Sequence, residues 1–453
     1  MNVRDQHIVV IGAAKSGLAV ARLLREKGAH VFVTDAGTIR EHDQQLLMTA
    51  NIEFESGGHS QRAFEGSFAV ASPGVPDDAP IMQAYIHAGK AIYSEIEVAS
   101  WFCDAQIIAI TGSNGKTTVT SWLEHVWRTA SLTHVVAGNI GVAFSDVVTG
   151  TSKDDWALLE VSSFQLDHID TFKPAISCIL NITPDHLDRY ENLFAKYAAS
   201  KMRIMENQSE TDIFITWNED HVVESILEES EKPAKGPQIW RFSSQSEVDN
   251  GIFVGENEIL FQFDGQQEYL MNVGDIALPG RHNLHNGLAT ALVARAAGIA
   301  NEHIRQALNT FEGVEHRLEL VREFNGVRYI NDSKATNVDA VWYALDSIRV
   351  PAVLIMGGRD KGNDYSSIIP MVKENVHTLI AIGEAQAKLK VQFAEIVQDF
   401  RTAKTMEEAV TVAKSLAQSG EVVMLSPACA SFDMFSDYMH RGDTFRNAVN
   451  QLT

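Results

Sequence analysis

Apolar residues fall in short unbroken runs along the chain, separated by stretches where they recur every three or four positions. The first run, Ile8-Val9-Val10-Ile11, ends on the glycine turn Gly12-Ala13-Ala14-Lys15-Ser16-Gly17. The spacing then predicts a helix from Leu18 to Lys27, stopped by Gly28, and a strand from His30 to Thr34 that closes on Asp35. Another strand, Phe68-Ala69-Val70-Ala71, runs into the turn Ser72-Pro73-Gly74-Val75-Pro76. In the middle of the chain, strands are expected at Ile107-Ile108-Ala109-Ile110, at 156–161, at 175–180 and at 212–216, with helices between them. Runs apolar at every position suit a parallel sheet covered on both faces.

From about residue 238 to 278 the pattern changes to alternating Phe, Val, Ile and Leu with polar residues, and includes Asn250-Gly251. It reads as a hairpin-rich β insertion, followed by a helix over 286–297. The last third returns to the βα rhythm, with strands at 327–331, 352–356, 378–382 and 422–425 and a final helix over 431–452. The chain is therefore expected to be α/β. Three domains are expected, over residues 1–97, 98–313 and 314–453: Rossmann-like at each end, with a parallel sheet and a β-rich insertion in the centre.

Composition narrows the function. The 453 residues are 45% hydrophobic and 21% charged, ordinary for a folded globular protein. Lys and Arg number 37 against 59 Asp and Glu, a net charge of −22, which argues against nucleic acid or anionic lipid as partner. No apolar run reaches the ~18 residues that span a bilayer, and the first residues do not read as a secretion signal. A cytoplasmic protein without membrane insertion is expected. Three scattered cysteines, Cys103, Cys178 and Cys429, make neither a disulfide framework nor a thiolate metal site.

The sharpest chemical signal is Ile110-Thr111-Gly112-Ser113-Asn114-Gly115-Lys116-Thr117-Thr118. A buried strand gives way to a glycine loop and then a helix, so backbone N–H groups and the helix N-terminus face phosphate oxygens. Lys116 would reach the terminal phosphates and the Thr117 hydroxyl would hold Mg²⁺. Glu160, at the end of the expected strand 156–161, is a candidate second metal ligand. The next strand delivers Asn181-Ile182-Thr183-Pro184-Asp185-His186-Leu187-Asp188, where His186 reads as a metal ligand or a structural hydrogen-bonder. Gly12, Gly17 and Asp35 resemble a dinucleotide fingerprint, but Ala14 replaces the middle glycine, so a modified nucleotide-binding fold fits better than an NAD site. In the last third, Asn331-Asp332-Ser333-Lys334-Ala335-Thr336-Asn337, Gly357-Gly358-Arg359-Asp360-Lys361 and Ser426-Pro427-Ala428-Cys429-Ala430-Ser431-Phe432 all fall at strand ends. Together they offer lysines and hydroxyls for a carboxylate, and Arg317 offers a guanidinium for a phosphate. Two rivals compete: an oxidoreductase using the N-terminal turn, which the missing glycine disfavours, and a non-catalytic phosphate-loop switch protein.

Together with Glu160-Val161-Ser162-Ser163-Phe164-Gln165-Leu166 and Gly280-Arg281-His282-Asn283-Leu284-His285-Asn286, these motifs resemble the Mur ligase family over essentially the whole chain. The resemblance implies a central phosphate-loop ATPase domain and ATP-dependent amide synthesis on a peptidoglycan precursor. The Lys334 and Ser431 motifs are similar to those of the branch that adds D-glutamate to UDP-N-acetylmuramoyl-L-alanine. Another ligase of the same fold, from a different Mur step or a folyl-polyglutamate synthase, is the alternative. The resemblance further implies that Lys116, Glu160, His186 and Lys201 are catalytic. Gly112, Ser113, Asn114, Gly115, Lys116, Thr117, Thr118, Asn283, Asn286, Arg317 and Asp332 are expected to bind ATP. Thr117, Glu160, His186 and a carbamylated Lys201 are expected to hold Mg²⁺. Ser16, Asp35 and Asn139 are expected to contact the UDP-sugar, Ser162 to join the substrate contacts, and Lys334, Thr336, Lys361, Ser431 and Phe432 to surround D-glutamate. A monomer is expected.

Overall fold

The computed structural model describes residues 1–229, 236–348, 350–360 and 362–453. Three sheets follow one another along the chain. The first contains β1 (His7–Ile11), β2 (His30–Asp35), β3 (Glu53–Ser56), β4 (Phe68–Ala71) and β5 (Ile92–Ser94) in the order β3-β2-β1-β4-β5. All its pairs are parallel. The second holds β6 (Gln106–Thr111), β7 (His134–Gly138), β8 (Trp156–Glu160), β9 (Ile176–Ile179), β10 (Ile213–Trp217), β11 (Gln238–Ser243), β12 (Gly251–Val254), β13 (Glu258–Phe263) and β14 (Gln266–Asn272). Its order is β14-β13-β12-β11-β10-β9-β6-β8-β7. The third is built from β15 (Glu319–Phe324), β16 (Val327–Asn331), β17 (Ala352–Gly357), β18 (Val376–Ile382), β19 (Asp399–Thr402) and β20 (Val422–Leu425) in the order β15-β16-β20-β17-β18-β19. Only the β15–β16 pair is antiparallel there.

The strands β1, β4, β6, β17 and β20 have almost every side chain buried, as expected where helices cover both faces of a sheet. In each sheet a central strand has neighbours reached by crossovers in opposite directions. Crevices therefore open beyond the carboxyl ends of β1, β6 and β20.

The stretch after β10 is less separate than its alternation suggests. β11 pairs in parallel with β10, and β12 pairs in parallel with β11; only β12–β13 and β13–β14 are antiparallel. The segment extends the central sheet outward. Asn250-Gly251 is not a hairpin turn: Gly251 has φ 151° and begins β12 opposite Arg241, where a Cβ would lie 1.8 Å from the Arg241 carbonyl oxygen. Glycine permits that approach. The last helix is also shorter than its periodicity suggests. It runs Tyr438–Asn450, because the Asp437 side chain caps it by accepting from the His440 N–H at 2.7 Å.

The chain packs as two units, Met1–Ala277 with Leu284–Phe311, and Leu278–Asn283 with Glu312–Thr453. The first contains the first two sheets, joined through the helix Glu95–Ser100. Glu97 is fully buried there and accepts hydrogen bonds from the N–H groups of Asp170, Thr171 and Phe172, the Thr171 hydroxyl and the Trp101 indole. Glu95 accepts the Ser145 N–H at 2.6 Å, and burial pushes its carboxyl from 4.5 up to about 7. The unfolded chain therefore releases this proton before the folded protein does. The associated stability is fully present below about pH 4.5 and is lost as pH rises toward 7. The loss is of order 3 kcal/mol. Glu95→Gln, which keeps the acceptor and removes the titration, is expected to be the more stable protein at pH 8. Urea unfolding of both proteins from pH 4.5 to 8 checks this; equal slopes against pH would refute it.

Candidate active site

β6 ends at Thr111, and the chain turns through Gly112 and Gly115, whose φ angles of 152° and 89° suit glycine, into the helix Lys116–Thr129. A Cβ on Gly112 would meet Leu180 Cβ at 3.1 Å; on Gly115 it would meet the Asn286 Oδ1 at 2.5 Å. The neighbouring strand end pins the loop. The Asn114 N–H donates to the Asn181 Oδ1 at 2.9 Å, and the Asn181 amide returns a bond to the Asn114 carbonyl at 3.0 Å. The Ser113 hydroxyl donates to the Thr183 carbonyl at 2.7 Å and lies 3.0 Å from the Tyr197 hydroxyl.

Two ammonium groups meet on this loop. Lys116 Nζ donates to the carbonyls of Gly112 (2.6 Å) and Ser113 (2.9 Å). Lys201, buried on the helix Phe194–Met202, donates to the same Gly112 oxygen at 2.9 Å and sits 4.7 Å from the centre of the Tyr197 ring. Burial first, and the charge of Lys116 second, hold the Lys201 amine well below its ordinary value of 10.5. The charges of Asp185, Asp167 and Glu160 oppose that shift.

Glu160 is buried at the end of β8. Its carboxylate accepts the Thr117 hydroxyl at 2.6 Å and the Asn139 amide at 2.7 Å. Thr117 and Glu160 thus present hard oxygen donors side by side beneath the phosphate loop, a donor set that suits Mg²⁺, which takes few protein oxygens and keeps phosphate and water oxygens. No group of three or more His, Cys, Asp or Glu gathers for a metal among the described residues, so phosphate oxygens would have to complete such a shell.

Other expected residues lie as follows. His186 starts a turn in left-handed backbone (φ 51°), with its Nε2 3.7 Å from Asp185. Thr118 is buried on the phosphate-loop helix, and its hydroxyl has no hydrogen-bond partner among the described residues. The buried Asn286 Nδ2 likewise has none among them, while the Asn283 amide donates to the Pro279 carbonyl. Asn139, expected at the UDP-sugar, is placed against Glu160. Ser162 caps the short helix that follows β8, in a reciprocal box with Gln165. At the first sheet's crevice, Ser16 is half-buried near the start of the helix Lys15–Glu26. The Asp35 carboxylate accepts the Ala13 N–H at 2.7 Å and the Gly37 N–H at 2.8 Å.

The third sheet forms its own cluster. Asp332 is buried at the end of β16. It accepts the Ser426 hydroxyl at 2.7 Å and the Leu318 N–H at 3.2 Å. Burial raises its carboxyl to about 6 against the charge of Arg317. Lys334 Nζ lies 5.1 Å from the Tyr438 ring centre. Thr336 is half-buried, Ser431 is 2% exposed and Phe432 is 64% exposed. Lys361 lies outside the described residues.

Asn181 and Tyr197 were not assigned roles from the sequence. Tyr197 had a usable signal, since it sits four positions before Lys201 on one helix face.

A nucleotide enzyme of the phosphate-loop class is what the central sheet defines, with a second cluster of cations and hydroxyls on a separate sheet of the same chain. The Mur ligase middle domain matches residues 110–294, the Mur ligase glutamate ligase domain 316–429 and the MurD N-terminal domain 7–81. The chain belongs to the Mur ligase family. It is 46% identical to the UDP-N-acetylmuramoylalanine–D-glutamate ligase of Salinibacter ruber and 42% identical to that of Chloroherpeton thalassium, with 99% of each chain covered in both cases. Among solved structures it matches MurF from Acinetobacter baumannii (TM-score 0.61, 15% identity, 97% of this chain and 93% of that one). It also matches the UDP-N-acetylmuramate–alanine ligase MurC from Thermotoga maritima (TM-score 0.60, 16% identity, 98% and 99%). These structural likenesses show the three-domain α/β fold. No helix among the described residues is long and apolar enough to cross a membrane.

Lys116→Met is expected to lower turnover at least a hundredfold with little change in melting temperature, because the ammonium would act on phosphate charge in the transition state. Steady-state phosphate release beside a thermal melt checks this. A variant within tenfold of wild type would remove Lys116 from the chemistry.

Proposed function

We propose that the protein is an ATP-dependent ligase that joins D-glutamate to UDP-N-acetylmuramoyl-L-alanine in the cytoplasmic assembly of the peptidoglycan precursor. The observation that carries this reading is the 46% identity over the full length of a D-glutamate ligase. The phosphate-loop geometry supports its ATP dependence. Residues 1–97 would take the UDP-sugar, with Ser16 and Asp35 at the crevice beyond β1 and Asn139 and Ser162 from the central sheet. Residues 98–313 would take ATP, with Asn283 and Asn286 by the adenine. Residues 314–453 would take the amino acid, while Arg317 and Asp332 reach the ATP phosphates and ribose.

In the first step an oxygen of the substrate carboxylate attacks the γ-phosphorus of ATP. The bond to the bridging oxygen breaks, its electrons leave with ADP, and an acyl phosphate forms. In the second step the neutral amine of D-glutamate attacks the acyl carbon. The tetrahedral intermediate collapses to the amide and expels phosphate, and the amine proton is released. Lys116 offsets the phosphate charge in the first step, and the loop N–H groups orient it. Bound Mg²⁺ would neutralise charge between ATP and the incoming carboxylate; Thr117, Glu160, His186 and Lys201 are the residues that would hold it.

Lys201 can serve as such a ligand only after a change of charge. Its amine is buried and held well below its ordinary value of 10.5, by burial first and the charge of Lys116 second, so losing its proton costs less there than in water. The Nζ lone pair attacks the carbon of CO₂, an N–C bond forms, and one proton is lost. The product is an anionic carbamate beside Lys116. Lys201→Ala is expected to lose most activity while staying folded, with partial rescue by acetate or formate, measured as phosphate release. A folded variant that small carboxylates do not rescue would remove the carbamate, and a fully active one would remove Lys201 from the site.

Amino-acid choice follows from charge. D-Glutamate presents two carboxylates and one reactive amine, so its site needs fixed donors for both carboxylates. Lys334, Lys361, Thr336 and Ser431 would supply them, with Phe432 at the edge. Losing one donor to a buried carboxylate costs about 1.5–3 kcal/mol, roughly ten- to a hundredfold. Ser431→Ala is expected to raise the KM for D-glutamate by about that factor. Phosphate release with ATP, Mg²⁺ and UDP-N-acetylmuramoyl-L-alanine, scanned over D- and L-amino acids, tests the proposal. D-Glutamate is expected to be the best acceptor and L-glutamate poor; preference for L-lysine, diaminopimelate or L-glutamate would overturn the assignment.

A further inference from the structure

The helix Tyr438–Asn450 carries a guanidinium in an unusual place. Arg441 is 0% exposed, and no hydrogen bond joins it to a carboxylate among the described residues. Its Nε donates to the Ser333 hydroxyl at 3.0 Å, its Nη2 to the Ser333 carbonyl at 2.7 Å and its Nη1 to the Cys429 carbonyl at 3.0 Å. Burial lowers it to about 10, partly offset by Cys429 and then by the charges of Asp433 and Asp332. A buried cation held only by neutral acceptors is a costly way to fill space, and an apolar side chain of similar volume would do so more cheaply. What only a guanidinium supplies is a rigid planar fork with donors in several fixed directions.

Those directions matter because of what the two acceptors belong to. Ser333 directly precedes Lys334, at the end of β16. Cys429 lies two residues before Ser431, after β20. Arg441 therefore clamps the two loops that carry the expected donors for the amino-acid carboxylates. The third loop is tied to the same point. Gly358, at the end of β17, approaches so closely that a Cβ would lie 3.2 Å from the Arg441 Nη1, and Arg359 exchanges two backbone bonds with Ala430. The start of the helix is fixed in turn. The Ser333 hydroxyl donates to the Tyr438 carbonyl at 2.7 Å. Gly442 passes so near His316 that a Cβ would lie 2.3 Å from its Nδ1.

We propose that Arg441 is the positioning residue of the amino-acid site: its guanidinium sets the spacing between the Lys334 and Ser431 loops and thereby the fit for the incoming dicarboxylate. The inference rests on the D-glutamate reading above.

The test compares KM values, which do not depend on the fraction of enzyme that is folded. Arg441→Lys keeps the charge and loses the fork. Ser333→Ala keeps Arg441 and removes one of its three partner atoms. Each is measured for the KM of D-glutamate and of UDP-N-acetylmuramoyl-L-alanine, with a thermal melt. Arg441→Lys is expected to raise the D-glutamate KM at least tenfold and Ser333→Ala severalfold, with the UDP-substrate KM within twofold of wild type. If Arg441→Lys does not fold, Ser333→Ala alone decides. An unchanged D-glutamate KM in the folded variants overturns the proposal, as does a parallel rise in both KM values, which would mark a merely structural role. A wild type that uses another amino acid overturns the D-glutamate reading instead, and the same comparison then runs with that amino acid.

Discussion

Two ammonium groups on one carbonyl oxygen is the arrangement on which the central site depends. Lys116 and Lys201 both donate to Gly112, and unit charges a few ångströms apart repel by roughly 4 kcal/mol at an effective dielectric of about 20. Such a pair is tolerable only if one amine gives up its proton or an anion lies beside them. Phosphate oxygens would relieve the repulsion at Lys116, and conversion to the proposed carbamate would relieve it at Lys201. Burial and this conflict, which together lower the affinity of Lys201 for a proton, would also favour the proposed attack of its amine on CO₂. Everything around the loop keeps this conflict in place. Gly112 has a conformation that brings its carbonyl under both lysines, Asn181 locks the following peptide, and Tyr197 lends its ring face to the buried cation.

Much of this was legible in the chain. Gly-Lys-Thr-Thr between an apolar run and a helical pattern located the phosphate loop, and Glu160 at the next strand end followed from parallel topology. Lys201 was not legible from its own neighbourhood. It sits in a helix whose spacing says only that one face is apolar; its chemistry comes from Gly112 and Lys116, remote in sequence, and only the family resemblance pointed to it. Arg441 is more hidden still, because two of its three partners are backbone carbonyls, which carry no residue-type signal.

The errors at the level of elements have similar causes. The strand β15 has no fully buried residue and pairs only with β16, so its pattern is too weak to stand out. β7, half-buried at the edge of the central sheet, was missed for the same reason, and with it the placement of Asn139 beside Glu160. Asn250-Gly251 has the composition of a tight turn, but its glycine serves a close approach between parallel strands. Local sequence does not distinguish a glycine needed for its own dihedral angles from one needed by a neighbour's carbonyl.

The outward growth of the central sheet has a colloidal consequence. A nine-stranded sheet must end somewhere, and its far edge, β14, begins Gln266-Gln267-Glu268-Tyr269, all solvent-exposed. An open row of backbone donors and acceptors is a template on which a second molecule can add a strand. Here Glu268 is fixed by an ion pair with Arg295 at 2.7 Å and by the Asn301 amide at 2.7 Å, so a rigid, well-hydrated charge pair stands on that edge. Another copy approaching it edge to edge would have to strip water from that charge pair before its strand could add. The polar residues that alternate with the apolar ones along this segment are the ones that line the open end of the sheet.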